Sequence, residues 1–413
     1  MEHRVVITGM GAITPIGNNI EEFWNAIKEG KCGIEPISLF DATAQKAKLA
    51  AEVKEYDEAH YFEVKAAKRL DRFCQFAMIA AREALEKSGI TEENTDMTRV
   101  GTVIGSGMGG LDTLEEQNRN LVEKGPDRIS PMYIPMSITN IAAGNVAIDL
   151  GLKGESFCMV TACASSTHAI GESFRLIRHG YQDAVVVGGT EASITPTGIA
   201  GFANIKALSQ AEDQNRASIP FDKERSGFIM GEGAGILVLE ELEHAKKRNA
   251  KIYAEIVGYG ASSDAYHITS PAPGGEGGAR AMVNAIKDAK ISVSQIDYIN
   301  AHGTSTPLND KTETMAIKAA LGEHSRKVMV SSTKGNTAHL LGAAGAVEAI
   351  VCAKALEEGY VPATIGYKVK DEECDLDIVP NEGRKVQIQY AMSNSLGFGG
   401  HNSSIVLKKW EGK

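Results

Sequence analysis

Length, composition and charge set the first limits on the function of this chain. It has 413 residues, of which 43% are hydrophobic and 23% charged, as expected of a folded protein large enough for two packed half-domains. The formal net charge of −10 argues against nucleic-acid and membrane partners. The six cysteines show no CxxC spacing, so we expect neither a disulfide scaffold nor a zinc motif, and a reducing cytoplasm is favoured.

The N-terminus resembles a first strand rather than a signal peptide, and short apolar runs then alternate with longer helical patterns. We predict strands at 4–9, 99–105, 157–162, 183–189, 234–240, 252–260, 296–303, 327–332 and, as a closing pair, within 390–409. Helices are predicted at 71–87, 165–178, 277–290, 311–321 and 341–357. This alternation predicts α/β layers around buried sheets, and the charged stretch 240–250 suggests two half-domains, 1–250 and 251–413.

The segment VTACASSTHAIGESF carries the first candidate reactive group. A predicted strand ends at Ala162, Cys163 lies at the turn, and Ser165, Ser166 and Thr167 offer caps for the next helix. A sulfur at the amino end of a helix is expected to have a lowered pKa. A buried, inert cysteine is the alternative interpretation, because free cysteines are often buried.

Two further segments, AHGTSTPLND and SSTKGNTAHLLGAAGAVE, also follow predicted strands. The carboxyl ends of strands in an α/β sheet face a common crevice, so Cys163, His302 and His339 are able to converge there. Either histidine alone would be an ordinary core or capping residue. The three together predict a catalytic site.

These motifs, with VVITGMGAITPIGN, VGGTEASITP, SIPFDKERSGFIMGEGAG and NSLGFGGHN, resemble the β-ketoacyl-acyl carrier protein synthases over the whole chain. Among them, the chain is most similar to the elongating type II members of bacterial fatty-acid synthesis. The resemblance implies a thiolase-like fold of five α/β/α/β/α layers made by two duplicated halves. It also implies a homodimer and acyl carrier protein as the partner that delivers substrate. We expect no cofactor and no catalytic metal, while a cation near Asn300, Glu348 and Asn394, as in some relatives, stays open.

The resemblance assigns roles to individual residues. Cys163 would accept the acyl group, His302 and His339 would donate hydrogen bonds to a thioester enolate, and the backbone N–H groups of Cys163 and Phe398 would form the oxyanion hole. Phe398 would also act as a gate to the acyl pocket. The remaining implied site residues are Lys334 with its supporting partner Glu348, and Thr304 and Thr306 beside the malonyl unit.

An acidic enzyme that recruits acidic carrier protein needs a local basic surface. The cluster VKAAKRLDR supplies Lys65, Lys68 and Arg69, and Lys206 occupies the position of another basic residue of the family. We predict that these four residues form the docking surface. A solvated helix face is the plain alternative for this charge cluster.

The sequence departs from the family pattern at two sites that matter for catalysis. It has Ala338 beside His339 where relatives commonly have glycine, and this substitution adds a methyl group and restricts the backbone. Met108 falls where the family often has isoleucine at the end of the acyl pocket, and its adaptable thioether suggests longer or unsaturated substrates.

Several other classes of protein share parts of this chemistry. A dinucleotide-dependent oxidoreductase would need a third glycine where Thr14 stands, and a cysteine hydrolase normally uses one histidine base. A degradative thiolase needs a second reactive cysteine, but Cys374 lies in the acidic segment DEECDLD. Type I-like and polyketide-type condensing enzymes stay open. So does a non-catalytic chain-length-determining partner subunit, although such subunits lack the nucleophile that Cys163 supplies.

Overall fold

The computed structural model describes residues 2–412, which are organised around one mixed sheet of ten strands. Four further short strands form two separate pairs. The strands are β1 (Val5–Ile13), β2 (Glu35–Pro36), β3 (Leu49–Ala50), β4 (Val100–Gly105), β5 (Ser156–Met159), β6 (Ala184–Glu191), β7 (Gly233–Glu241), β8 (Ala254–Ser263), β9 (Tyr298–Asn300), β10 (Met329–Ser331), β11 (Tyr360–Val361), β12 (Arg384–Lys385), β13 (Tyr390–Gly397) and β14 (His401–Lys409).

Helices cover the faces of this sheet, and several connect one strand to the next. They are α1 (Ile20–Lys28), α2 (Glu58–Tyr61), α3 (Val64–Ala67), α4 (Arg72–Ser88), α5 (Leu111–Lys124), α6 (Tyr133–Ser137), α7 (Ile141–Leu150), α8 (Ser165–Arg178), α9 (Pro196–Asn204), α10 (Leu242–Lys247), α11 (Glu276–Asp288), α12 (Pro307–Leu321), α13 (Lys334–Thr337) and α14 (Ala344–Glu358). Within residues 2–412 none of them is both long and apolar enough to cross a bilayer.

The strand order of the large sheet reveals a duplication. The order is β5-β4-β6-β7-β1-β8-β14-β13-β9-β10, so each half has its third, second, fourth, fifth and first strands side by side. The pairing directions also agree between the halves. In each half the first three strands of that order pair in parallel, and each of the other two pairs antiparallel with the strand before it in the order. The halves meet where β1 and β8 pair over three residues.

Both faces of each half-sheet are buried, which gives five layers. In β7, Leu237 and Leu239 pack with the cluster that contains α8 and α14, whereas Ile236 and Val238 pack with α4 and α7 on the opposite face. The C-terminal half has α11 and α12 on its outer face. Because α8 and α14 lie between the half-sheets, the predicted α/β/α/β/α arrangement is confirmed.

Hydroxyl groups at the start of α8 join the two halves rather than cap the helix. Ser166 Oγ accepts a hydrogen bond of 2.9 Å from the N–H of Ala346 in α14. Thr167 Oγ1 and Ser395 Oγ of β13 are 2.7 Å apart. The expectation that these hydroxyls cap the helix is wrong, because Ser166 and Thr167 meet partners from the second half and Ser165 bonds to the turn that precedes the helix.

The predicted elements overlap observed ones, and the predicted helix 165–178 has the same bounds as α8. The patterns do not predict α1, α5, α7 and α9, which are short or carry few buried apolar residues. The boundary at residue 250 falls between α10 and β8. The division into 1–250 and 251–413 stays a prediction, since the sheet runs on through β1 and β8.

Candidate active site

Cys163 lies on a tight turn between β5 and α8. The preceding residue, Ala162, has a φ of +51°, which residues with side chains rarely adopt. Ser165 fastens this turn, because its Oγ accepts from the Thr161 N–H at 2.9 Å and donates to the Ala162 carbonyl at 2.7 Å. The turn directs the sulfur into the molecule, and Cys163 is 9% exposed.

The predicted lowering of the Cys163 pKa is wrong. Burial raises the pKa of the thiol to about 12, although the charge of Lys334 and the backbone N–H groups of Phe398 and Cys163 oppose this effect. Cys163 belongs to an apolar cluster with Ile199 and Phe228, where a charged sulfur is poorly solvated. The raised pKa keeps the resting group a neutral thiol at pH 7.

His302 follows β9, and a buried carboxylate fixes its main chain. The N–H groups of His302 and Gly303 each donate to Glu313 of α12 at 2.8 Å. Gly303 has a φ of +40°, and a Cβ there would lie 2.5 Å from Ser332 Cβ, so this turn requires glycine. Burial raises the pKa of Glu313 to about 7.

His339 follows the single turn of α13, and its main chain is tied to the segment before β7. Its N–H donates to the Ile229 carbonyl, and its own carbonyl accepts from the Gly231 N–H, both at 2.9 Å. The preceding Ala338 has a φ of +58° and a ψ of −165°, a conformation almost restricted to glycine. The imidazole is therefore held in place partly by a strained alanine.

The structure brings the three predicted reactive groups together. The Cys163 sulfur and one ring nitrogen each of His302 and His339 all lie within 4.8 Å of one another. The two ring centroids are 5.2 Å apart, and the ring planes meet at 84°. Groups from β5, β9 and the segment after β10 thus face one point.

Both imidazoles are neutral at pH 7. Burial, aided by the charge of Lys334, lowers the pKa of His302 and His339 well below 6.5. Within residues 2–412, Nδ1 of His302 and both ring nitrogens of His339 have no hydrogen-bond partner. Because a neutral imidazole carries one N–H, each ring is able to donate one hydrogen bond to a bound ligand.

Lys334 and Glu348 form the expected ion pair deep in the protein. Lys334 Nζ contacts Glu348 Oε1, and the two side chains are 1% and 3% exposed. Burial raises the pKa of Glu348 to about 7, against the opposing charge of Lys334. The same lysine lowers the pKa of Cys163 and of both histidines, so it acts on the whole site.

A cavity of about 330 Å³ lies beside these groups. Its aromatic lining is formed by Phe202, Phe228 and Phe398, with ring centroids 5.5 Å apart for the first two and 6.2 Å apart for the first and third. Thr304 and Thr306 supply hydroxyl groups 3.0 Å apart on the same wall. An apolar cavity with a few convergent polar groups is typical of a small-molecule site.

Phe398 lies on the turn between β13 and β14 and is half-buried. The two residues that follow, Gly399 and Gly400, have φ values of +87° and +73°, which glycine adopts without strain. The Phe398 N–H lies close enough to the Cys163 sulfur to lower the pKa of the thiol.

The other predicted site residues lie at or beyond the rim of the cavity. Lys206 lines the mouth, whereas the exposed Lys65, Lys68 and Arg69 on and after α3 do not. Met108 is 40% exposed on the loop after β4 and does not line the cavity either. The substrate-binding role of Met108 and the docking role of the basic residues stay predictions.

The C-terminal half repeats the turn that carries Cys163. Leu341, with a φ of +48°, begins a helical turn just before α14, as Ala162 does before α8, so Gly342 takes the position of Cys163. The Gly342 N–H donates to the buried Glu191 at 3.0 Å. A Cβ on this glycine would lie 2.4 Å from a backbone nitrogen of the loop after β4, so the second turn has no room for a side chain.

Two buried carboxylates near the site, Glu313 and Glu191, were not predicted from the sequence. Glu313 lies on α12, where nothing in its polar neighbourhood marks it as buried. Glu191 ends the apolar run of β6, and an acidic residue at the carboxyl end of a buried strand was a usable signal. It accepts from the N–H groups of Gly107, Met108 and Gly342, and so connects both halves.

Replacing Ala338 with Gly is expected to leave stability unchanged or to raise it by about 1 kcal/mol. Relief of about 1–3 kcal/mol of backbone strain offsets the lost methyl contact and the greater freedom of the unfolded chain. The matched change Ala349→Gly, also at a fully buried alanine but inside α14, should cost about 1–2 kcal/mol. Denaturation midpoints measure the stability of both variants, and an equal loss of stability in the two would contradict backbone strain at Ala338.

Comparisons with known proteins agree with this geometry. Residues 2–245 match the family model for the N-terminal domain of β-ketoacyl synthases, and residues 253–368 match that for the C-terminal domain. Relatives named 3-oxoacyl-[acyl-carrier-protein] synthase 2 from Synechocystis sp. and Staphylococcus aureus are both 51% identical, over 99% of this chain and 98% and 99% of theirs. A Coxiella burnetii relative of the same name is 49% identical, over 99% of each chain.

Solved structures match over 99% of this chain. One is a type II PKS acyl-carrier protein in complex with its ketosynthase bound to the hexaketide, with a TM-score of 0.93, 35% identity and full coverage of that chain. Another is a β-ketoacyl synthase from Burkholderia phymatum, with a TM-score of 0.92, 33% identity and full coverage of that chain.

The chain therefore belongs to the β-ketoacyl synthase family. The thiolase-like fold class predicted from the resemblance is confirmed, and the chain is an acyltransferase of the condensing type.

Proposed function

We propose that this enzyme condenses an acyl group carried on Cys163 with malonyl-acyl carrier protein, giving 3-oxoacyl-acyl carrier protein and CO2 in fatty-acid elongation. One observation carries the proposal: a thiol and two neutral imidazoles converge beside an apolar cavity. The names of the relatives with about half their residues identical support the substrate class and favour elongation over polyketide synthesis.

In the first step, the Cys163 sulfur attacks the carbonyl carbon of an acyl thioester on carrier protein. The new C–S bond replaces the bond to the carrier thiol, and the proton of Cys163 ends on that leaving thiol, so the charges balance. The N–H groups of Phe398 and Cys163 lie close enough to the sulfur to lower the pKa of the thiol, which supports their role as the oxyanion hole.

In the second step, malonyl-carrier protein loses CO2, and the enolate that forms attacks the acyl-Cys163 thioester. Negative charge develops on the malonyl thioester oxygen, where one N–H each from His302 and His339 would stabilise it. Cys163 leaves as a thiolate and takes up one proton, which restores the resting thiol. The unpartnered ring nitrogens support this assignment, because they are available to a substrate oxygen.

Other residues have supporting roles in this proposal. Thr304 and Thr306 would position the malonyl unit, since their hydroxyls line the cavity. Lys334, paired with Glu348, would set the electrostatics of both steps. Phe398 would gate the acyl pocket by movement of its glycine-rich turn, and Met108 would reach the end of that pocket only if a partner subunit covers its exposed face.

Mass spectrometry of the enzyme incubated with acyl-carrier proteins tests the nucleophile. We expect one acyl adduct per chain on Cys163 in the wild type and none in Cys163→Ala. The matched variant Cys158→Ala, changed at a half-buried cysteine on β5, should label like the wild type. An adduct on another residue would overturn the assignment.

The carrier-protein docking surface is proposed to be Lys65, Lys68, Arg69 and Lys206. All four are exposed, and Lys206 lines the cavity mouth. Replacing Lys65 and Arg69 with Glu is expected to lower kcat/KM for carrier-bound substrate on the order of tenfold, because opposite charges become like charges.

The control variant for docking carries the same change in charge on a different surface of the protein. Lys153 and Lys247 are exposed near the amino ends of β4 and β6, opposite the strand ends that carry the site. Their double replacement with Glu should leave kcat/KM within about twofold. Equal losses in the two double variants, measured with the same carrier protein, would remove the docking role.

We also propose a homodimer in the cytoplasm. Within the described chain, β5 is an edge strand paired only with β4, and Met108, Ile138 and Val160 near its end are 40%, 40% and 53% exposed. An unpaired edge with exposed apolar neighbours is suited to a second copy of the chain. The six free cysteines support a reducing compartment.

A further inference from the structure

Cys163, His302 and His339 form an unusual donor set for a protein expected to hold no metal. Within residues 2–412, they are the one group of three histidine, cysteine or acidic side chains whose donor atoms lie close enough to share a cation. The two imidazoles are each 2% exposed, and Nδ1 of His302 and both ring nitrogens of His339 lack a hydrogen-bond partner in that part of the chain.

We propose that this triad binds Zn²⁺ reversibly and that the bound ion blocks acyl transfer. One thiolate and two imidazoles are the donor types that Zn²⁺ prefers, and three protein ligands leave a fourth position open. That position faces the cavity, where water or a thiol is able to enter. Binding releases the proton of Cys163 to solvent as the S–Zn bond forms.

The observed spacing is close to that of a zinc site. Tetrahedral bonds of about 2.3 Å to sulfur and 2.0–2.1 Å to nitrogen place the donors roughly 3.3–3.6 Å apart. The three donors lie within 4.8 Å, so the side chains need to close by about 1 Å. Turning the His339 ring breaks no hydrogen bond, because neither of its nitrogens makes one in the described chain.

Two features limit the affinity and make the ion exchangeable. Zinc-binding histidines usually donate their second N–H to a carboxylate or carbonyl, and loss of such a neighbour costs roughly 10–100-fold in affinity. His339 has no such neighbour among the described residues. The charge of Lys334, which lowers the pKa of both histidines, also opposes a bound cation. We therefore expect an inhibitory site and not a resident cofactor.

The inhibition part of this inference rests on the proposed function, because a metal-bound sulfur is unable to attack a thioester. The binding part does not, since it concerns the enzyme without substrate. The two parts are separable by experiment.

The experiment titrates the purified full-length enzyme with Co²⁺ as a visible probe and then displaces it with Zn²⁺. We expect one Co²⁺ per chain, an absorption band from thiolate-to-cobalt charge transfer, and loss of that band as Zn²⁺ is added. The band should vanish in Cys163→Ala, and Co²⁺ binding should weaken by more than about a hundredfold in His302→Ala and in His339→Ala. Cys158→Ala is the matched control and should bind like the wild type.

A second measurement follows acylation of Cys163 by mass spectrometry at increasing Zn²⁺. We expect half-inhibition at the Zn²⁺ dissociation constant that the Co²⁺ displacement gives once the competing Co²⁺ concentration is taken into account, with recovery after a chelator is added. No thiolate band in the wild type, or a band that persists in Cys163→Ala, would overturn the metal site even if acylation proceeds normally. If the cobalt band is seen but the metal-free enzyme forms no acyl adduct, the proposed function is contradicted and the metal site is still supported.

Discussion

Replacing His302 or His339 with Ala is expected to lower the rate of condensation by about 10²–10³-fold while Cys163 still accepts an acyl group. Each substitution removes one N–H donor from the oxygen that becomes negative as CO2 leaves, and loss of one such donor has an effect of this size. In the proposed mechanism acyl transfer relies on the backbone N–H groups of Phe398 and Cys163, which neither substitution removes. Mass spectrometry measures acylation, and release of labelled CO2 from malonyl-carrier protein measures the second step.

The exposed His179, at the far end of α8, gives a matched control. His179→Ala should leave both steps unchanged. If His302→Ala and His339→Ala abolished acylation as completely as condensation, a histidine would be acting as the base for Cys163 and the proposed division of labour would be wrong.

The same imidazoles predict the pH dependence of condensation. Burial and the Lys334 charge lower the pKa of both histidines well below 6.5, so neither ring gains a proton as the pH falls from 8 through 6.5. We expect a level condensation rate over this interval, measured on enzyme already acylated at Cys163. A step centred near pH 6.5 would show that one ring titrates as an ordinary solvent-exposed histidine.

Replacing Lys334 with Met is expected to destabilise the protein by about 3–5 kcal/mol at a pH well above 7, because Glu348 is then ionised and buried without a cation. Acylation should slow as well, since Lys334 is the main charge that counters the raised pKa of Cys163. Denaturation midpoints and the rate of adduct formation measure the two effects.

The double variant Lys334→Met/Glu348→Leu separates charge from packing. Removing both charges should recover most of the lost stability, because no unpaired buried group remains. The exposed pair Lys246–Glu243 is the matched control, and Lys246→Met should cost less than about 0.5 kcal/mol. Equal costs for Lys334→Met and Lys246→Met would contradict the importance of burial.

The sign of the pH effect in Lys334→Met follows from the Glu348 carboxyl. Its pKa is already raised above the ordinary 4.5, and loss of Lys334 raises it further. A carboxyl with a raised folded pKa contributes most stability below its unfolded value and loses it as the pH rises through the folded value. The destabilisation should therefore be small near about pH 5 and grow as the pH rises past about 7.

Sequence patterns predict well where the chain uses local rules. Helix α8 has the predicted bounds because apolar residues recur at helical spacing between a tight turn and a basic last turn. Cys163, His302 and His339 were predicted to meet because strand ends in an α/β fold share an edge, and this geometry is confirmed.

Prediction fails where the outcome depends on surroundings that the local sequence does not describe. The thiol at the head of α8 was expected to ionise easily, but the apolar residues around Cys163 come from distant segments and raise its pKa. The role of Glu313 is invisible in sequence, since its two donors belong to the turn after another element. Met108 falls outside the cavity of the single chain, which no local motif reveals.

Gly342, in the second turn, limits the number of acyl chains that one polypeptide is able to load. A duplicated fold offers two equivalent positions for a nucleophile. At Gly342 the turn packs against Glu191 and has no room for a side chain, whereas Cys163 lines the cavity. In the proposed mechanism the two halves have different roles, with the first holding the acyl chain on Cys163 and the second supplying His302 and His339, which would activate the malonyl unit. Each polypeptide should then load a single acyl chain at a time, however many copies assemble.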